Sequence, residues 1–142
     1  MDAAIADVAR VLGVASGARP DPLRFARQLE AGLPVRALDR LAAALAPGDA
    51  AFRYAFVPKA TLARRAAAKR LSAEESAKLA RVAGVYAVAR DVWGSDAEAR
   101  DFLHRRHPLL EGATPFGVAL GSDLGARLVE RLLGKLRHGS AA

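Results

Sequence analysis

The chain has 142 residues, with 22 lysines and arginines against 15 acidic residues, and no cysteine. That length holds one ordinary domain or two small helical ones, and without cysteine there are no disulfides or thiolate metal sites, which points to a reducing compartment. No stretch nears the roughly 18 apolar residues needed to span a bilayer and no secretory signal pattern opens the chain, so a cytoplasmic protein with no membrane partner is expected.

The charge is uneven. Residues 1–70 carry twelve basic side chains against six acidic ones, and residues 71–142 carry ten against nine. A polyanionic partner for the first half follows from counterion release on phosphate neutralisation. Apolar residues do not alternate between hairpin turns, so strands fit poorly and an all-α fold is expected.

Residues 1–20 are alanine-rich and end in "ASGARP"; they read as a leader, disordered or a frayed helix. Asp21-Pro22 is an N-cap followed by proline at the first helical position. The helix it opens should close at Gly32. Pro34 starts a second helix, with Val35, Leu38, Leu41, Ala42 and Leu45 at helical spacing. "PGD" at 47–49 breaks it, and a short helix over 50–55 follows. Val57-Pro58 forces an extended residue and then a new start. Over 58–69, Leu62 and Ala66 should face the core, while Lys59, Arg64, Arg65 and Lys69 should not.

Ser72 and Glu75 form a capping box for a helix running to about Trp93. Its segment "VAGVYAVA" at 82–89 is uncharged, so that part is buried on several sides or meets a partner. Tyr86 and Trp93 are seven apart, share a face and are expected to pack between two modules. Ser95 and Glu98 make a second capping box, for a helix over 96–105. "HPLLEGATP" is a loop, Thr114-Pro115 caps a short helix, and Asp123 opens the last one, with Leu124, Leu128, Leu132 and Leu136 at every fourth position.

Catalysis finds little support. His104 and His107 could share a helical face, but their neighbours are arginines, and a metal needs three or four ligands. No nucleophile triad, phosphate loop or acid pair stands out. No catalytic residue, metal or cofactor is expected, and the protein is not read as an enzyme. The pattern at 50–69 is more informative. A short helix, a tight turn and a second helix with exposed cations make a helix-turn-helix, whose second helix enters the major groove. Lys59, Ala60, Thr61 and Ala63 lie where base edges are read. Arg64, Arg65, Lys69 and Arg70 reach towards phosphates.

The stretch "GLPVRALDRLAAAL" followed by "VPKATLARRAAAKRLSAEESAKLARVAGVYAVARDVWG" resembles the Xre/MbcA/ParS-type antitoxins of bacterial toxin–antitoxin operons. So does "HPLLEGATPFGVALGSDLGARLVERLLGKLRHG". The resemblance covers about residues 24–139, and the motifs follow the family's order and spacing. It departs at Ala55-Phe56-Val57, where the family has Leu-Gly-Ile or similar, and at the more basic "LHRRHP".

After the leader read over 1–20, the resemblance implies an Xre-like helix-turn-helix domain over 21–70 and a helical toxin-binding domain over 71–142. It also implies a RES-domain toxin as partner, whose NAD-binding site the antitoxin occludes, and repression of the antitoxin's own operon by binding operator DNA. The residues it points to for the toxin are Pro108, Leu109, Gly112, Thr114, Pro115 and Phe116, with Arg127, Arg131 and Lys135 on the last helix and Arg137 and His138 in a flexible basic tail. A homodimer is expected from the uncharged run and from the two-fold logic of helix-turn-helix operators. The competing reading is a stand-alone dimeric helix-turn-helix repressor without a toxin. It needs residues 114–139 only as core, whereas an antitoxin should expose apolar side chains there.

Overall fold

The computed structural model describes residues 4–17 and 19–139. Their regular structure is helical: α1 (Ile5–Leu12), α2 (Pro22–Ala31), α3 (Val35–Leu45), α4 (Lys59–Ala68), α5 (Ala73–Trp93), α6 (Asp96–His104), α7 (Pro115–Gly121) and α8 (Asp123–Arg137). Two 3₁₀ turns, Phe52–Ala55 and Pro108–Leu110, complete it. The described residues form two compact units, Ile5–Ala80 and the segment from Arg81 onward. The division falls inside α5, ten residues beyond the 70/71 boundary expected from the sequence.

In the first unit, α2 starts where Asp21 accepts the Leu23 N–H at 3.0 Å. The core stripe of α3 is Ala37, Leu38, Leu41, Ala42 and Leu45. Residues 5–12 are not a detached leader. They form α1, which packs on α3 and buries Val8, Ala9 and Leu12. The Arg36 and Arg40 guanidiniums hold its C-terminal end, donating to the Gly13 and Arg10 carbonyls at 2.8 and 3.3 Å. Eight residues are too few for a stable isolated helix, so burial on α3 is what makes this one.

The glycine-free turn closes without strain. Phe56 stays in the right-handed helical region, at φ −95° and ψ −40°. It packs its ring 5.5 Å from that of Phe52, and Phe56 and Val57 are fully buried.

The chain after α4 returns to the α2–α3 junction. Pro34 and Arg70 form an isolated antiparallel bridge, with Leu71 N–H donating to the Leu33 carbonyl at 2.8 Å. The approach demands glycine at position 32. Its φ is 93°, and a Cβ there would lie 2.2 Å from the Leu71 carbonyl oxygen.

In the second unit, residues 82–86, 88 and 89 of α5 are buried. The uncharged run is therefore interior to the chain and leaves no open face for a second copy, which removes that basis for a dimer. Tyr86 is buried and donates to Asp96 at 2.5 Å; burial and this bond push its phenol up to about 12. Trp93 differs from expectation. It is 39% exposed, with its ring 6.0 Å from Phe102 in α6.

Helices α7 and α8 meet at a sharp corner. Ser122 caps α8 by accepting the Gly125 N–H at 2.9 Å. Arg81 reaches from α5 to the end of α7 and donates to the Ala119 and Leu120 carbonyls at 3.1 and 2.5 Å. A Cβ at Gly125 would stand 2.1 Å from the Val118 carbonyl oxygen, so only glycine lets the two helices approach this closely.

These contacts set the expected effects of four substitutions, read by thermal denaturation. Gly32→Ala and Gly125→Ala each force backbone apart and should lower the midpoint by roughly 10 °C or more. Gly134→Ala, mid-helix with nothing within 4 Å of its Cβ position, should stabilise by about 0.5–1 kcal/mol. Trp93→Ala should cost less than the about 3–5 kcal/mol of a buried aromatic.

Candidate functional site

Helix α4 is preceded by the 3₁₀ turn Phe52–Ala55 and the buried Phe56-Val57, the helix-turn-helix arrangement expected. Leu62 is its single buried residue. Ala66, read from the sequence as core, is exposed. The outer face presents Lys59, Ala60, Ala63 and Arg64, with Thr61 half-buried beside them. Arg64 lies 3.4 Å from the Thr61 hydroxyl, a marginal contact for a long side chain. Lys69 ends the helix in the left-handed region at φ 62° and is exposed.

Two cations expected on phosphates turn towards the protein itself. The Arg65 guanidinium grips Glu75, Nε to Oε1 at 2.8 Å and Nη2 to Oε2 at 3.2 Å. Arg70 donates to the Gly32 and Ala31 carbonyls, at 2.8 and 3.4 Å, and so satisfies the end of α2. Each lies within hydrogen-bonding reach of a protein oxygen, Arg65 of the Glu75 carboxylate and Arg70 of the last carbonyls of α2. The face left for a polyanion is Lys59, Ala60, Thr61, Ala63, Arg64 and Lys69.

Glu75 is also the capping residue of α5. It accepts the Ser72 N–H at 2.8 Å while Ser72 accepts the Glu75 N–H at 3.1 Å. Burial pushes its carboxyl up, but the bonds from Arg65 and Ser72 outweigh that and hold it below the usual carboxylate range. A depressed carboxylate stabilises the fold above its unfolded pKa and loses that stabilisation as pH falls through the folded value. The stability difference between wild type and Glu75→Gln should therefore be full at pH 7 and shrink as pH drops below about 4.3, as measured by urea denaturation across pH.

In the second unit, the loop after α6 is tied by its own backbone. His107 donates its N–H to the Ala113 carbonyl at 3.0 Å, and its carbonyl accepts from Leu110 and Gly112. Its Nδ1 accepts the Leu109 N–H at 3.2 Å. This holds Pro108 and Leu109 outward, with Leu109 57% exposed. Gly112 takes φ 82°. Thr114 caps α7 through the Gly117 N–H at 3.1 Å. Pro115 is buried and Phe116 half-buried, its ring 5.6 Å from His104. His107 instead faces Phe102, so the two histidines have different neighbours. Among the described residues no group of three His, Asp or Glu could hold a metal ion.

On α8, Arg127, Arg131 and Lys135 are exposed. Arg137 is not in a loose tail. It is the last residue of α8 and pairs with Asp91 of α5, while His138 is the exposed C-cap. The sequence reading missed the outward leucines. Leu124 is 60% and Leu128 41% exposed, against 5% for Leu132. Residues four apart drift about 40° around a helix, so a column of leucines at every fourth position cannot stay on one face. The buried stripe is Gly125, Ala126, Val129, Leu132 and Leu133, and its spacing was the available signal.

Among the described residues no helix is long and apolar enough to cross a membrane. No curated protein matches the chain. Residues 24–84 match the antitoxin Xre-like helix-turn-helix domain. Residues 88–139 match the antitoxin Xre/MbcA/ParS C-terminal toxin-binding domain. The chain therefore carries, in that order, the helix-turn-helix and toxin-binding domains of the Xre/MbcA/ParS-type antitoxins.

Proposed function

We propose that this chain is a cytoplasmic antitoxin that binds a cognate RES-domain toxin through its C-terminal domain, occludes that toxin's NAD-binding site and represses its own operon through α4. The observation that carries the antitoxin reading is the exposed pair Leu124 and Leu128 on α8, with Leu109 on the loop before α7, inside the segment that matches a toxin-binding domain. Exposed leucines one turn apart, flanked by Arg127 and Arg131, suit an apolar contact with a polar rim. A stand-alone repressor has no use for them. The DNA arm rests on the match over residues 24–84 and on the outward cations of α4. Two copies on a two-fold operator would present two such helices to successive half-sites.

Co-expression with the neighbouring toxin gene tests the first arm, with growth and cellular NAD as readouts. Leu124→Glu with Leu128→Glu should abolish protection while leaving melting and DNA binding close to wild type, because both side chains are exposed. Full protection by this double variant would remove the α8 face from the mechanism, and a neighbour harmless without the antitoxin would favour the stand-alone repressor. For the second arm, Lys59→Glu with Arg64→Glu should weaken binding to the operon's upstream DNA and flatten its log–log salt dependence by about 0.9 per lost phosphate contact.

A further inference from the structure

We infer that Arg65 and Glu75 are a positioning pair that fixes the orientation of α4, so that Arg65 serves DNA binding through the helix and not by touching DNA. The inference rests on the proposed DNA-binding role of α4. Its first support is how few of the helix's own side chains are buried between the Phe56-Val57 turn before it and the Pro34–Arg70 bridge after it. Only Leu62 is buried along its ten residues, and apolar burial is non-directional. The backbone is fixed before and after the helix, and along its length Leu62 is the one apolar anchor. A directional side-chain anchor adds what apolar burial lacks, a set angle for the face that carries Lys59, Thr61 and Arg64.

Arg65 supplies it. Its planar fork meets both carboxylate oxygens of Glu75, the bidentate geometry that sets angle as well as distance. The partner is itself immobile. The Glu75 side chain is 11% exposed and is held by the capping box with Ser72. Behind it, Ser76 is fully buried, donates to the Ser72 carbonyl at 2.7 Å and accepts the Leu33 N–H at 2.8 Å. The chain of bonds thus runs from α4 through the first turn of α5 to the α2–α3 junction. Arg64, one residue earlier and about 100° round the helix, faces out. Two adjacent arginines therefore have separate roles, one presented to a ligand and one holding the presentation steady.

The test uses the full chain and three variants, Arg64→Gln, Arg65→Gln and Glu75→Gln. Binding is measured to the operon's upstream fragment and to random DNA over a range of salt. Arg64→Gln should weaken both and flatten the salt slope by about 0.9. Arg65→Gln and Glu75→Gln should weaken the upstream fragment by roughly tenfold, with random-DNA affinity and salt slope unchanged. Glu75→Gln is decisive, because it removes a negative charge and a purely electrostatic role would tighten DNA binding. It also keeps an oxygen for the Ser72 cap. If Arg65→Gln fails to fold, Arg65→Lys, which keeps the charge and loses the fork, takes its place.

Amide exchange of α4 in the free protein gives a readout independent of DNA. It should quicken in the Arg65 and Glu75 variants and not in Arg64→Gln. A flattened slope for Arg65→Gln, or wild-type or tighter binding by Glu75→Gln, overturns the proposal. If the wild type does not discriminate its upstream DNA, the DNA reading falls. In that case quickened exchange retains the pair as the anchor of α4, and unchanged exchange removes it.

Discussion

The first unit depends on one carboxylate. Glu75 closes the N-terminal turn of α5 and at the same time receives the Arg65 fork from α4. A capping glutamate alone satisfies a local N–H. Here it is joined to Ser72, Ser76 and the Leu33 N–H, so one set of bonds closes three chain segments. The cost of burying charge at this junction is met because both oxygens have donors; among the described residues no buried side-chain polar atom lacks a partner. Gly32 completes the junction by letting the backbone pass against Leu71, where any side chain would collide.

The basic residues of the first half differ in what they meet. Arg36, Arg40 and Arg70 donate to carbonyls at helix ends, and Arg65 to a carboxylate. They act as structural donors at places where a helix leaves acceptors unsatisfied. Lys59, Arg64 and Lys69 stay outward on or beside α4. The charge excess that pointed to a polyanion is thus larger than the surface that would meet one.

The second unit is organised by close approach. Arg81 satisfies the end of α7, and Gly125 brings α8 against it. With α8 pressed this near, its inner stripe is narrow and built on small residues at Gly125 and Ala126. Leu124 and Leu128 fall outside that stripe. Their exposure follows from that close approach, which leaves an exposed apolar pair on the outward face of α8 at little expense to the core.

Sequence alone determined the elements whose signals are local. The Asp21, Ser72, Ser95 and Thr114 caps each bond an N–H two or three residues on, and Gly32 and Gly94 end helices at positive φ. Such bonds need no partner from elsewhere in the chain, so composition and spacing specify them, and the motifs they frame carried the family resemblance. Tertiary structure decided the rest. That Arg65 turns inward while Arg64 faces out, that residues 5–12 become a core helix, and that Leu128 is exposed while Leu132 is buried all depend on a surface supplied by a distant segment. Neighbouring positions on a helix differ by about 100°, and only the element packed against it settles which of them is inside.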